Sequence, residues 1–192
     1  MTLLELLVGL TVGGTALASG AAVFATLMDR REALLADVDA ESRSLAARRM
    51  LESSLAEARA GTAADDGLIG HTASLRTPDG ATADDDLAWT TTANGNLRRM
   101  RLFIERSGER PALVVEAVQR DAQVSQIVLA TDVAGLDVRY LTSAFGTREW
   151  RDAWAGGALL PGAVVVHLTP DTGAMLPSAL QLPITVPLPN GR

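Results

Sequence analysis

The spacing of apolar and polar positions changes twice along this chain, and each change marks a new kind of element. From Met1 to Met28 the sequence reads MTLLELLVGLTVGGTALASGAAVFATLM. Glu5 is its only ionisable side chain, and the 23 residues after it carry no charge. A run this long and apolar predicts a membrane-spanning helix. At about 1.5 Å per residue it reaches roughly 42 Å, more than the ~30 Å hydrocarbon core. Asp29-Arg30-Arg31-Glu32 marks the exit from the apolar run. A helical pattern then continues to about Ala60. Leu34, Val38 and Leu45 share one face, and Leu51 and Leu55 continue it with some drift. Glu41 and Arg48 fall close to that stripe. Ala, Leu, Glu and Arg dominate, no Pro interrupts, and Gly61 is the expected stop. The pattern predicts one helix of about 90 Å, its second half packed on a globular domain.

Residues 61 to 86 read as loop, rich in Gly, Asp, Ala and Thr, with Pro78-Asp79-Gly80 as a turn. A short strand is expected between Leu68 and Leu75. From Leu87 the period becomes that of a strand. Leu87–Thr92 ends at the hairpin signal Asn94-Gly95. Leu97–Glu105 follows, with Met100, Leu102 and Ile104 on one face and Arg99, Arg101 and Phe103 on the other. Pro111–Val118, Val124–Ala130 and Leu136–Leu141 are further short runs rich in Val, Leu and Ile. Strands joined through short turns imply antiparallel sheets. In the last apolar stretch, Leu180–Leu188, Pro183 and Pro187 suit only an edge strand. The expected class is α+β: residues 1–28 as a transmembrane helix, 29–60 as its amphipathic continuation, and 61–192 as a domain of antiparallel β-sheets.

Composition narrows the chemistry. At 192 residues the chain suits one anchor and one modest domain. A net charge of −6 and a pI near 4.9 argue against nucleic acid as the main partner. Arg98, Arg99 and Arg101 lack an aromatic stacking ladder and read as a solvated strand face. There is no Cys, hence no disulfide and no thiolate site. Asp84-Asp85-Asp86 lacks the alternating ligands and distal Glu of a calcium loop and reads as a solvated acidic loop. His71 and His167 lie far apart and support no metal assignment. No nucleophile–base pattern, phosphate-cradling loop or dinucleotide fingerprint occurs. Asp65-Asp66 lies in a polar loop, where a raised carboxyl pKa is not expected. The sequence therefore points to no enzyme, no metal and no cofactor.

Three features carry candidate functions. A carboxylate inside an apolar helix costs about 2.5 kcal/mol or more at the bilayer centre, so Glu5 calls for a partner. Its alternative is a helix-start carboxylate stabilised by the helix dipole near the interface. Gly9, Gly13, Ala16 and Gly20 fall on one narrow helix face, which lets backbones approach closely in an apolar medium; ordinary membrane-helix glycine usage explains them equally well. Trp150 and Trp154 read either as contacts for a partner or as core residues of a small β domain.

The N-terminal stretch Met1-Thr2-Leu3-Leu4-Glu5-Leu6-Leu7-Val8 resembles the mature N-terminus of type IV pilin-like proteins. Thr2, Leu3 and Glu5 match that family's pattern, and Met1 stands where Phe is usual. In that family a prepilin peptidase removes a short basic leader, and the exposed first residue is methylated. The resemblance implies that Met1 is a processed, N-methylated end. It also implies that Glu5 pairs with the α-amino group of Met1 on a neighbouring subunit during filament assembly, and that the helix loosens around Gly13-Gly14 when packed in a filament. Further on, Leu136, Val138, Arg139 and Tyr140, then Trp150 and Trp154, then Leu160-Pro161-Gly162-Ala163-Val164 follow an order similar to the J-type minor pseudopilin of type II secretion. Residues 61 to 133 carry no specific likeness.

That likeness implies a pilin-like fold in the inner membrane with a periplasmic domain. Its partners would be I-type and K-type minor pseudopilins and the major pseudopilin. The role would be to prime or cap a pseudopilus that supports export of folded proteins. A minor pilin of a type IV pilus, serving adhesion, motility or DNA uptake, shares the helix and Glu5. A membrane-anchored periplasmic binding domain is a third expectation, of a different class.

Overall fold

The computed structural model describes residues 2–62, 67–77, 80–93, 96–119, 123–144 and 147–188. The expected turns at Pro78-Asp79 and Asn94-Gly95, and the pair Asp65-Asp66, lie outside the described residues. The chain has an α+β architecture: a long N-terminal helix followed by antiparallel sheets. It divides into two compact units, Met1–Ala40 and Glu41–Arg192, and the division falls inside the first helix.

Helix α1 spans Leu3–Ala56 and runs unbroken through Gly13 and Gly14. It ends a few residues before the expected Ala60. The reason is local: the Arg59 N–H donates to the Thr90 carbonyl, so the backbone has already left the helix to join a strand.

In the first unit the apolar side chains of α1 are exposed along its length. Leu3, Leu10, Val12, Leu17, Val23 and Phe24 are among them. The segment is long and apolar enough to cross a membrane. Its hydroxyls are satisfied within the helix. Thr11 donates to the Val8 carbonyl at 2.9 Å, Thr15 to Val12 at 3.0 Å, Ser19 to Thr15 at 2.8 Å and Thr26 to Ala22 at 2.9 Å. Such back-bonding suits a surface that hydrocarbon can surround.

Among the described residues, the second unit holds the end of α1, eleven strands and a short helix. Five strands form one antiparallel sheet in the order β1-β4-β5-β6-β7: β1 Ile69–His71, β4 Asp86–Ala93, β5 Asn96–Glu105, β6 Ala112–Gln119 and β7 Val124–Thr131. Four form a second sheet in the order β11-β10-β8-β9: β8 Val133–Ala144, β9 Thr147–Arg151, β10 Ala163–Pro170 and β11 Ile184–Pro187. A separate hairpin joins β2 Ser74–Thr77 to β3 Gly80–Ala83. Helix α2, Ser178–Gln181, precedes β11. β11 is an edge strand, a place that suits Pro187 at its end and Pro183 just before it. The stretch 61–86, expected as loop around one short strand, instead contains β1, β2 and β3. These strands are too short and too poor in apolar residues for period to reveal them.

The core brings together the inner faces of both sheets and one stripe of α1. Leu51 and Leu55 pack with Leu87, Trp89, Leu102, Leu113 and Val115 of the first sheet and Leu136, Val138, Tyr140, Val164 and Val166 of the second. The buried stripe of α1 runs through Ser44, Ala47, Leu51 and Leu55, and Ala58 just past its end is buried too. Leu45, placed on the packing face by periodicity, is exposed instead. Helical drift brings Arg48 to the docking face, and its long side chain has a specific task there. Its guanidinium donates to the carbonyls of Ala179 at 2.8 Å and of Leu182 and Pro183 at 3.2 Å, and pairs with Glu52 at 2.8 Å. Ser178 Oγ donates to Glu41 Oε1 at 2.5 Å. The two residues that spoiled the apolar stripe thus fasten the C-terminal segment to the helix. We expect Arg48→Met to destabilise the domain by about 2–3 kcal/mol, because it orphans carbonyls that a charged donor now satisfies. Hydrogen exchange should rise first at Leu176–Leu188; unchanged protection there would contradict this role.

The triplet Asp84-Asp85-Asp86 is not a solvated acidic loop. Asp85 is buried, with 3% exposure. Its Oδ1 accepts from the Ala73 N–H at 3.1 Å and its Oδ2 from the Val138 N–H at 2.8 Å, while its own N–H donates to the Leu136 carbonyl. One side chain therefore ties the link between β1 and β2 to β8 of the second sheet. Asp84 pairs with Arg106 at 2.8 Å, and Asp86 with Arg101. Burial raises the Asp85 carboxyl above its ordinary value; the Val138 and Ala73 N–H groups oppose the rise, and the charges of Asp137 and Asp152 add to it. A carboxyl raised by folding contributes most below its unfolded value, and that contribution is lost as pH climbs through the folded value. Asp85→Asn turns an NH2 toward one of the two backbone donors, an expected cost of about 1–3 kcal/mol. It also removes the titration. The stability advantage of the parent over Asp85→Asn, read from urea midpoints, should narrow as pH rises above the ordinary carboxylate range. An advantage that widens with pH would contradict the assignment.

Candidate functional site

The first candidate site is the surface of α1 in unit Met1–Ala40. Met1 lies outside the described residues, and so do the side chains of Glu5 and Ala16. Glu5 and Ala16 themselves lie within α1. Gly9, Gly13 and Gly20 share one face, and a Cβ built on any of them would meet no atom within 4 Å. Nothing in the single chain occupies the space that these glycines leave open. In hydrocarbon, where burial between helices gains no hydrophobic energy, such a face favours close packing against another helix.

The second candidate is the pair Trp150 and Trp154, which the fold separates. Trp150 lies on β9, an edge strand whose residues are all exposed, and is itself 47% exposed. Trp154 is half-buried. Its ring lies 6.3 Å from Tyr140, and its backbone exchanges two hydrogen bonds with Gly70 of β1, at 2.8 and 3.1 Å. That bridge carries the segment after β9 onto the edge of the other sheet. Gly70 is required there, since a Cβ would overlap the Tyr140 hydroxyl. Burial raises the Tyr140 hydroxyl pKa well above its ordinary value, and the charges of Asp85 and Asp86 add to the rise. Trp154 therefore packs partly as a core residue, whereas Trp150 stays open to solvent.

Trp89, which periodicity treated as one more strand residue, is the fully buried tryptophan. Its Nε1 donates to the Ser54 carbonyl near the end of α1 at 3.1 Å. The signal for it was its place at the centre of β4, flanked by Leu87 and Thr91, both also buried.

Among the arginines of β5, Arg101 is held by Asp86 and lies over the Phe103 ring, 4.8 Å from its centroid. Arg99 is exposed and makes no ion pair among the described residues. His71 lies on β1 and His167 on β10, both exposed. Among the described residues no group of three or more His, Asp or Glu is placed to hold a metal ion. The edge strand β7 carries no charge and no proline, and leaves Val124, Ile127 and Val128 exposed. Most unpartnered edges are protected by one or the other. No protein-family model matches the chain, and no curated protein does.

Proposed function

We propose that the chain is a pilin-like assembly protein, a minor pseudopilin of a type II secretion pseudopilus that acts near the filament tip. The observation that carries this reading is the first unit. After the motif Thr2-Leu3-Leu4-Glu5 its helix carries no charge as far as Met28, is exposed and is open at Gly9, Gly13 and Gly20. Such a helix suits a lipid bilayer before assembly and a bundle of like helices afterwards. A long N-terminal helix followed by an antiparallel β domain agrees with a pilin-like fold.

On this reading Glu5 meets the α-amino group of Met1 on a neighbouring subunit, which relieves the desolvation cost of both charges. I-type and K-type minor pseudopilins and the major pseudopilin are the partners. The inner membrane holds the chain before assembly, with the β domain in the periplasm. The work is assembly and not catalysis, and it needs no cofactor.

An anchor exchange tests the reading. Replacing residues 1–28 by an unrelated membrane helix of equal length should keep the β domain folded and membrane-bound, yet abolish secretion-linked function. Full function in the exchanged protein would sink the filament reading and favour an anchored periplasmic binding domain.

A further inference from the structure

Among the described residues the two large sheets have four edges, and three of them are closed in different ways. β1 is three residues long and is bridged to Trp154 by backbone hydrogen bonds at 2.8 and 3.1 Å. β9 carries Arg148, Glu149 and Arg151. β11 ends at Pro187, with Pro183 just before it. Each device keeps a further strand from adding to its sheet. β7 has none of the three. It reads VSQIVLAT, without a charge or a proline, and Val124, Ile127 and Val128 are more than half exposed.

The direction of its free backbone groups follows from the hairpin that precedes it. The Gln119 N–H donates to the Gln123 carbonyl at 2.9 Å, and the register continues with Val118 opposite Val124 and Ala117 opposite Ser125. Bonded and non-bonded pairs alternate along an antiparallel ladder. Ser125 and Ile127 therefore bond to β6, while Val124, Gln126 and Val128 aim their N–H and C=O groups away from the sheet. The register shift beside Leu113 and Val114 leaves Leu129 as a bulge and ends the regular ladder there. The free edge is thus the stretch Val124–Val128.

That edge specifies its occupant. Backbone groups in this alternation are matched by an extended strand. The strand must also be uncharged, because Val124–Val128 offers it no counter-charge. The nearest charge across the sheet, Glu116 opposite Gln126, would lie two strand spacings away, about 10 Å, where salt screens it. A charged side chain entering beside Val124, Ile127 or Val128 would lose water and gain no partner.

We propose that β7 accepts an extended, uncharged segment of a partner protein, rich in β-branched residues, as a sixth strand of the first sheet. Main-chain hydrogen bonds hold it, and the exposed Val124, Ile127 and Val128 flank it on both faces. The inference goes beyond the assembly reading and does not depend on it.

The test is amide hydrogen exchange, read by NMR on the full chain in nonionic detergent. The probe is an acetylated, amidated pentapeptide of alternating threonine and valine, N-methylated on its valines so that it offers one edge and does not stack on itself. The peptide should slow exchange at Val124, Gln126 and Val128 and leave Ser125 and Ile127, already bonded to β6, unchanged. Gln126→Pro removes one outward donor and should weaken binding about tenfold, while Gln126→Ala keeps the backbone and should bind like the parent. Val128→Lys, a milder change should the proline variant not fold, should weaken binding as well. Several results would each overturn the proposal. They are no protection at millimolar peptide, equal slowing of all five amides, or full binding by Val128→Lys. Equal binding by peptides with lysine or aspartate in place of valine would do the same. So would protection that grows with protein concentration in the absence of peptide, which would make a second copy of this chain the occupant. The isolated chain is the sample, so a silent edge leaves the role of Glu5 untouched.

Discussion

Glu5→Ala is expected to keep the chain out of filaments while its β domain stays folded. The reasoning starts from the cost of an ion in hydrocarbon. In a bundle of apolar helices an α-ammonium left without its carboxylate is an uncompensated charge, and breaking a buried pair in this way costs about 3–5 kcal/mol. That corresponds to a loss of on the order of a hundredfold or more in incorporation. The β domain begins far along the chain from Glu5, and the second compact unit starts at Glu41. Its unfolding midpoint should therefore not move. Glu5→Gln, which keeps the size and loses the charge, should behave like alanine. The checks are the fraction of chain in sheared filaments against that in membranes, and circular dichroism of the purified protein. Near-normal incorporation of either variant would remove Glu5 from assembly.

Trp89→Ala is expected to have the largest effect on stability. Trp89 is completely buried in the core that joins both sheets to α1. Truncating such a side chain costs about 3–5 kcal/mol through lost contacts and the cavity that remains. The variant also leaves the Ser54 carbonyl without its indole donor. A total stability of about 5–15 kcal/mol places the variant close to unfolding. Trp89→Phe fills most of the volume and should lose far less, since it gives up one hydrogen bond worth about 1 kcal/mol and part of the ring. Urea midpoints of the full chain in detergent measure both. Equal losses for Ala and Phe would mean that the hydrogen bond, and not the packing, holds the helix to β4.

The elements that could be read from the chain are those whose period is long and clean. The apolar run after Glu5 and the alternation of Met100, Leu102 and Ile104 against Arg99, Arg101 and Phe103 each state their own geometry. Elements held by long-range polar contacts could not be read. The short strands β1, β2 and β3 owe their places to pairing partners and to Asp85, which looks like its two acidic neighbours in sequence. Its burial depends on Ala73 and Val138, 12 and 53 residues away. Arg48 likewise looks like a flaw in an apolar stripe until residues 179–183 arrive beside it. Of the candidate site, the open small-residue face was legible because helix geometry alone places Gly9, Gly13 and Gly20 together. The separate fates of Trp150 and Trp154 were not, since they depend on how the segment after β9 crosses to β1.

One measurement bears on the central claim most directly: co-purification after detergent extraction from the native host, with mass spectrometry of the partners and of the N-terminal peptide. The assembly account predicts recovery of I-type and K-type pseudopilins together with an N-methylated Met1. A major pilin and an adhesin in their place would move the protein to a type IV pilus. A solitary chain with an unmethylated N-terminus would contradict assembly altogether.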